Sequence, residues 1–278
     1  MRHLELFAGI GGFRRAMDLL TQDHIMDFHC IGYSEIDAKA VKTYCANYHP
    51  EVDGELAMGD IVEFTSNKNN MDNLPQFDLV TGGFPCQTFS MMGKQAGFNE
   101  DRGQMFFHII DILAAKMPRY VLLENVKNLK SHDKGRTFAR IKQELEALGY
   151  QVFTDIFNTA QFHLPQTRNR LLIFATTEPV PADFEVQFTC DNIAGLFDQV
   201  YQDLGTYHYQ SVNDILSLDV DQKYFLSERI KPTLLADGSA NFKSKSDINM
   251  SIARPLTATM HKMHRACQDN YYSQDFIE

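Results

Sequence analysis

No stretch of this 278-residue sequence approaches the ~18 consecutive apolar residues of a helical membrane span. The start, Met1-Arg2-His3-Leu4-Glu5-Leu6, lacks the shape of a secretory signal, because its apolar stretch is short and carries Glu5. A cytoplasmic protein with no membrane partner is expected. Cysteine is scarce and odd in number: Cys30, Cys45, Cys86, Cys190 and Cys267, with no Cys-x-x-Cys pair. That excludes a disulfide framework and fits a reducing compartment. His261, His264 and Cys267 stand three apart and could share a helix face, but no second ligand cluster accompanies them, so no metal is expected. Positive charge is short as well, with 26 Lys and Arg against 36 Asp and Glu and a net charge of −10. That total speaks against a nucleic-acid protein. Its distribution does not: Arg254, His261, Lys262, His264 and Arg265 crowd one segment, and Lys127, Lys130, Lys134 and Arg136 another. Taken alone, each reads as a solvated face. There is no internal repeat and no low-complexity tract.

What is present is an α/β rhythm. Leu4 to Phe7 reads as a strand, Ala8-Gly9-Ile10-Gly11-Gly12-Phe13 as a glycine turn, and Arg14 to Leu20 as a helix. Strand, glycine turn and helix open a nucleotide-binding βαβ unit, where glycines admit a ligand to the backbone and the helix start offers free N–H groups. Arg14 stands where a third glycine would fall, so the turn by itself is equally well structural. A second strand, Phe28 to Tyr33, ends in Ser34-Glu35-Ile36-Asp37, and Glu35 is placed to grip ribose hydroxyls. A helix is expected from Ala38 to about Tyr48. A third strand, Leu56 to Ile61, sets Asp60 to accept from an adenine amino group and Ile61 to pack on the adenine face. Glu63 to Pro75 reads as a polar surface connection.

Phe77-Asp78-Leu79-Val80 is an apolar run that Gly82-Gly83-Phe84-Pro85 stops sharply, leaving Cys86 at the carboxyl end of a strand. Open α/β sheets place their chemistry at that edge. A thiol there is a nucleophile if its proton is taken; the bland reading is a small buried cysteine beside a turn. Met91 to Gly103 carries three glycines and reads as a lid over it. A helix follows from Gln104 to Lys116, and then the strand Tyr120 to Leu123 delivers Glu124-Asn125-Val126. After a helix near Gly135 to Leu148, strands Gln151–Phe157 and Leu171–Thr176 are too close in sequence for a helical crossover and form an antiparallel hairpin. The link between them carries Gln166, and Arg168 and Arg170 on one face. Past Pro179 and Pro181 the elements shorten and become irregular, and a small second domain is expected over 177–278, after a first domain over 1–176. Ile252 to Met260 is strand-like and leads into the basic segment at 254–265.

In this order the motifs resemble the cytosine-C5 DNA methyltransferases of bacterial restriction–modification systems. The match runs through Leu6-Phe7-Ala8-Gly9-Ile10-Gly11-Gly12-Phe13, Gly59-Asp60-Ile61 and Gly83-Phe84-Pro85-Cys86-Gln87-Thr88-Phe89-Ser90, with Gly93-Lys94-Gln95 and Asp101-Arg102-Gly103. It continues through Leu123-Glu124-Asn125-Val126, Gln166-Thr167-Arg168-Asn169-Arg170 and Ala253-Arg254-Pro255-Leu256-Thr257-Ala258, nearly the whole chain. The resemblance implies a Rossmann-like sheet using S-adenosylmethionine, with S-adenosylhomocysteine as product. It implies that the Cys86 thiolate adds to cytosine C6, which makes C5 nucleophilic toward the methyl group. Glu124, in its protonated form in a dry pocket, would serve N3 and the exocyclic amine. Arg168 would serve O2, and Arg170 would support Glu124 or Cys86. The base would be flipped out of double-stranded DNA.

Phe7, Gly9, Ile10, Gly11, Gly12, Phe13, Glu35, Ile36, Asp60, Ile61, Pro85, Gln104 and Met105 would hold the cofactor. Gln87, Ser90, Lys94, Gln95, Arg102, Arg254, Lys262 and Arg265 would meet DNA. The family's closing Gly-Asn-x-Val segment is not found before Glu278. Either the chain is shortened or a second polypeptide supplies that part, leaving a split enzyme inactive alone. A tRNA cytosine-C5 methyltransferase and a nicotinamide-type dehydrogenase are the other readings; the Pro-Cys-Gln and Gln-x-Arg-x-Arg stretches disfavour the latter.

Overall fold

A computed structural model describes residues 1–85, 105–204, 209, 211–239, 242–256 and 265–277. The chain separates into two compact units, 1–156 with 170–189, and 157–169 with 190–278. The first unit is built on strands β1 (Arg2–Leu6), β2 (His29–Ser34), β3 (Leu56–Ala57), β4 (Leu79–Gly83), β5 (Tyr120–Val126), β6 (Gln151–Asn158) and β7 (Asn169–Thr176). Its helices are α1 (Gly12–Gln22), α2 (Ala38–Tyr48), α3 (Pro50–Asp53), α4 (Ile61–Ser66), α5 (Lys68–Asn73), α6 (Met105–Lys116), α7 (Arg136–Ala147) and α8 (Phe184–Gln187).

The sheet order is β3-β2-β1-β4-β5-β7-β6. The β1–β2, β2–β3, β1–β4 and β4–β5 pairs are parallel, and β7 runs antiparallel to β5. Strand order therefore reverses between β1 and β4, and the crevice beyond their carboxyl ends is where open α/β sheets take ligands. Strands β1, β2 and β4 are buried on both faces because helices cover the parallel sheet. Leu4, Leu6, Val80, Val121 and Leu123 are fully or almost fully buried, and Phe106, Ile109, Ile112, Leu113, Ile141 and Leu145 of α6 and α7 pack with them in one core.

Several boundaries move from the sequence expectation. The third strand is only two residues long, because Asp60 turns the chain into α4 by accepting from the Val62 N–H at 2.8 Å. The expected surface connection at 63–75 holds most of α4 and all of α5, and Phe64 and Leu74 are buried in it. Those apolar residues are widely spaced among Asn and Asp, so no period shows in so short a window. Glu124 lies inside β5 and not beyond it. Residues 177–189 cluster with the first unit, where Phe184 and Phe188 stack near Phe174 and Phe153.

The second unit is less irregular than expected. Its α9 (Cys190–Leu204) is a 15-residue helix, with Phe197 edge-on to Phe162. The expected strand at 252–260 reduces, among the described residues, to one bridge: Ala253 pairs with Gln166, and Ala253 and Thr167 exchange hydrogen bonds with Pro165 and Ala253 at 2.8 Å each. Short elements complete it: α10 (Lys231–Leu234), β8 (Gly238–Ser239), β9 (Phe242–Lys243) and α11 (Gln274–Ile277). No helix of the described residues is long and apolar enough to cross a membrane.

Candidate active site

At the carboxyl end of β1 the chain leaves the sheet through Phe7, whose φ is 54°, and turns through Gly9 and Gly11, at φ 58° and 88°. Gly11 has a specific reason to be glycine. A Cβ there would lie 2.2 Å from Cε2 of Tyr48, whose hydroxyl donates to the Gly11 carbonyl at 2.7 Å. Tyr48 is the outermost of three rings, packing on Tyr44, which stacks on Tyr33 at 4.3 Å. Arg14, which stands where a third glycine would fall, lies over the Tyr48 ring, pairs with Asp18 at 2.9 Å and bonds the carboxylate of Glu55. The turn is held from behind by these groups.

Its front is open. A Cβ added at Gly9 or Gly12 would meet nothing within 4 Å, and Ile10 is 62% exposed. Glu35, just past β2, closes one side. Its Oε2 accepts from the Gly9 N–H and its Oε1 from the N–H groups of Ile36 and Asp37, all at 2.8 Å. A carboxylate has about four acceptor positions, so one remains for a hydroxyl. Ile36 beside it is 73% exposed. Ser34 donates to the Gly59 carbonyl at 2.9 Å, tying the end of β2 to the turn before Asp60. Ile61 lies in the core at 2% exposure, so a ligand here would meet its backbone and not its side chain. Among the described residues, a carboxylate with a free acceptor position, apolar flanks and an open glycine backbone converge on one edge. Phe13 and Met105 are half-buried there, and Pro85 is exposed.

Further along the same edge β4 and β5 end side by side, with Gly83 in register with Glu124. Asn125 donates through Nδ2 to the Phe84 carbonyl at 2.8 Å, fixing the chain that leads into Cys86. Arg170 of β7 forms an ion pair with Glu124, one of the two supports the family resemblance implies for it. Arg168 belongs to the second unit, where its N–H bonds Thr159 Oγ1 at 3.0 Å. Cys86, Gln87, Ser90, Lys94, Gln95, Arg102, Gln104 and Lys262 lie outside the described residues. In the second unit Arg254 is tied to Asn270 through its N–H at 2.7 Å and to Asp247 through its guanidinium at 3.4 Å, and Arg265 is exposed.

Sequence reasoning missed Tyr48, Arg14 and Glu55 as supports of the turn. Only the Tyr44/Tyr48 spacing of one helical turn hinted at an aromatic face. Glu5 was also missed. It is buried on β1 and lies against the N–H groups of Phe13 and Arg14 without closing a full hydrogen bond, and burial pushes its carboxyl up to about 7. By contrast Cys30, buried on β2, has its thiol pushed up to about 11 by burial, which leaves it inert as a nucleophile.

A parallel sheet reversing between β1 and β4, with this turn and acid at its carboxyl edge, defines a Rossmann-like methyltransferase. The family model for C-5 cytosine-specific DNA methylase matches residues 1–277, and the chain belongs to that family. It is 38% identical to the Type II methyltransferase M1.ScrFI of Lactococcus lactis subsp. cremoris, over 82% of this chain and 51% of that protein. It is 37% identical to the Type II methyltransferase M.NlaX of Neisseria lactamica, over 82% of this chain and 63% of that one. It is 34% identical to the orphan methyltransferase M.Rho11sI of Bacillus phage rho11s, over 82% of this chain and 46% of that one. The chain thus spans about half the length of these relatives. The solved structure of the Entamoeba histolytica methyltransferase EhMeth shares the fold at TM-score 0.68 and 19% identity, covering 97% of this chain and 74% of that one. That of S. pombe Dnmt2 does so at 0.66 and 19%, covering 95% and 73%.

Proposed function

We propose that this chain methylates C5 of cytosine in duplex DNA. The observation that carries the reading is the pairing of Glu124 with Arg170 at the carboxyl edge, in register with the end of the strand that leads into Cys86. The printed names of the relatives, Type II methyltransferases, support it.

The open glycine turn, the Glu35 carboxylate and the exposed Ile10 and Ile36 fit S-adenosylmethionine. Glu35 takes the ribose, Asp60 the adenine amino group, and the turn the methionine part. When bound, that cofactor supplies an electrophilic methyl group. Cytosine C5 is too weak a nucleophile to take it unaided. The Cys86 thiolate adds to C6, and the ring electrons move to C5. Negative charge develops toward N3; Glu124, carrying a proton when the base is seated, donates to N3 and accepts from the exocyclic amine. Arg170 fixes the Glu124 carboxyl in its plane by the ion pair. Once C5 carries the methyl group, its proton passes to water and the C6–S bond breaks, which returns the Cys86 thiolate and restores the ring. The reacting atoms are unreachable inside a duplex, so the base is flipped out.

Tritiated S-adenosylmethionine, mixed-sequence duplex DNA and, in parallel, tRNA test this. Label should enter DNA as 5-methylcytosine, and Cys86→Ser should lower the rate at least about 10⁴-fold, the scale lost when a covalent nucleophile goes. Full activity in Cys86→Ser would refute the covalent route, and label on tRNA alone would refute the substrate.

A further inference from the structure

Between β5 and α7 the chain makes a turn that the catalytic reading does not use. Residues 127–136 read Lys-Asn-Leu-Lys-Ser-His-Asp-Lys-Gly-Arg, four fixed cations with one carboxylate, in a protein of net charge −10. Arg136 consumes that carboxylate by bonding Asp133. Lys127, Lys130 and Lys134 are exposed and, among the described residues, none forms an ion pair, although Asp133 lies within electrostatic reach of Lys134.

The turn is also built to hold its shape. Leu129 is fully buried beneath it, and His132 bonds Thr137 across it at 2.7 Å. Asp133, Lys134 and Gly135 are all left-handed, at φ 50°, 56° and 84°. Two successive non-glycine residues in that region are uncommon, and lysine has no short polar group to stabilise it there. Such strain persists where the surroundings impose it, and it gathers at working sites. The location is specific too: Lys127 stands three residues beyond Glu124 and two beyond the Asn125 that braces the chain leading to Cys86.

We propose that this turn is a phosphate-contact surface for duplex DNA, in which Lys127, Lys130 and Lys134 neutralise backbone phosphates flanking the target base. The inference rests on the cytosine-methylation reading and adds a contact surface to it. The contact is electrostatic and blind to sequence, so it sets affinity and register without choosing the site.

The test measures Kd for a mixed-sequence duplex by fluorescence anisotropy, from about 50 to 300 mM NaCl. Each neutralised phosphate contributes about −0.9 to the slope of log affinity against log salt. The K127Q/K130Q/K134Q triple variant should lose about 2 to 3 from the wild-type slope and weaken binding alike on all sequences. A triple Lys→Arg variant should keep the slope. A K68Q/K116Q control, on α5 and at the end of α6 ahead of the start of β5, should keep it as well. Unchanged S-adenosylhomocysteine affinity in the triple Gln variant reports that it is folded. Wild-type binding with an unchanged slope in that variant overturns this inference and leaves the methylation reading standing. A wild-type chain that binds no duplex overturns both.

Discussion

His3 and Glu5 stand two apart on β1 and so share one face of the sheet, and both are buried. His3 bonds Thr81 Oγ1 at 2.7 Å, and burial with Arg14 nearby lowers its pKa to about 3. Glu5, pushed up to about 7 by burial, faces Arg14 and Glu55, with Tyr44 and Tyr48 of α2 within electrostatic reach. The signs oppose each other. A histidine depressed from 6.5 to about 3 contributes stability that is lost as pH falls through that window. An acid raised from 4.5 to about 7 contributes stability that is lost as pH rises through its window. Between about pH 4.5 and 6.5 the two slopes cancel. Glu5→Gln should unmask the histidine, giving a stability that climbs by about 1.4 kcal/mol per pH unit across that range. Urea midpoints at several pH values measure it. A flat profile in the variant would mean that His3 is not held neutral.

At the scale of elements, the glycine turn and α2 form one device. The turn alone has no reason to keep φ 88° at Gly11; Tyr48 supplies it by filling the space a side chain would take and by bonding the carbonyl. Tyr48→Phe removes the bond and keeps the ring. A lost hydrogen bond of this kind is worth about 1 kcal/mol, so S-adenosylhomocysteine should bind roughly fivefold more weakly by calorimetry. Gly11→Ala should be far worse, since its Cβ would overlap the Tyr48 ring and the backbone is left-handed. Equal affinity of wild type and Tyr48→Phe would mean the turn holds its own shape.

At the scale of the molecule, a cradle that binds only the folded chain must stabilise it. S-adenosylhomocysteine at 100 times its Kd should add about 2.7 kcal/mol, seen as a rise in melting temperature. No rise at saturating ligand would contradict the cofactor cradle. The excess of acidic residues is no obstacle to DNA binding at this scale, because association depends on where the cations stand.

Much of this was legible in the sequence. Strand–glycine–helix order, the strand-end acid at Glu35 and the Glu124-Asn125-Val126 and Gln-x-Arg-x-Arg stretches predicted an α/β sheet with one antiparallel hairpin and a cytosine-C5 methyltransferase reading. Such signals are local, set by periodicity, turn chemistry and contiguous motifs. Family membership follows from them. Other features depended on residues far apart in sequence meeting in space. Tyr48 locks Gly11 across 37 residues, and Arg14 reaches Glu55 across 41. The pKa values of His3 and Glu5 depend on what is buried around them, which no linear pattern encodes. The lysines at 127–134 read as an ordinary solvated face until the fold placed them at the carboxyl edge, outside any ion pair among the described residues. Spacing fixes which residues share an element; only packing decides which elements share a face, what is desolvated there, and which charges remain uncompensated.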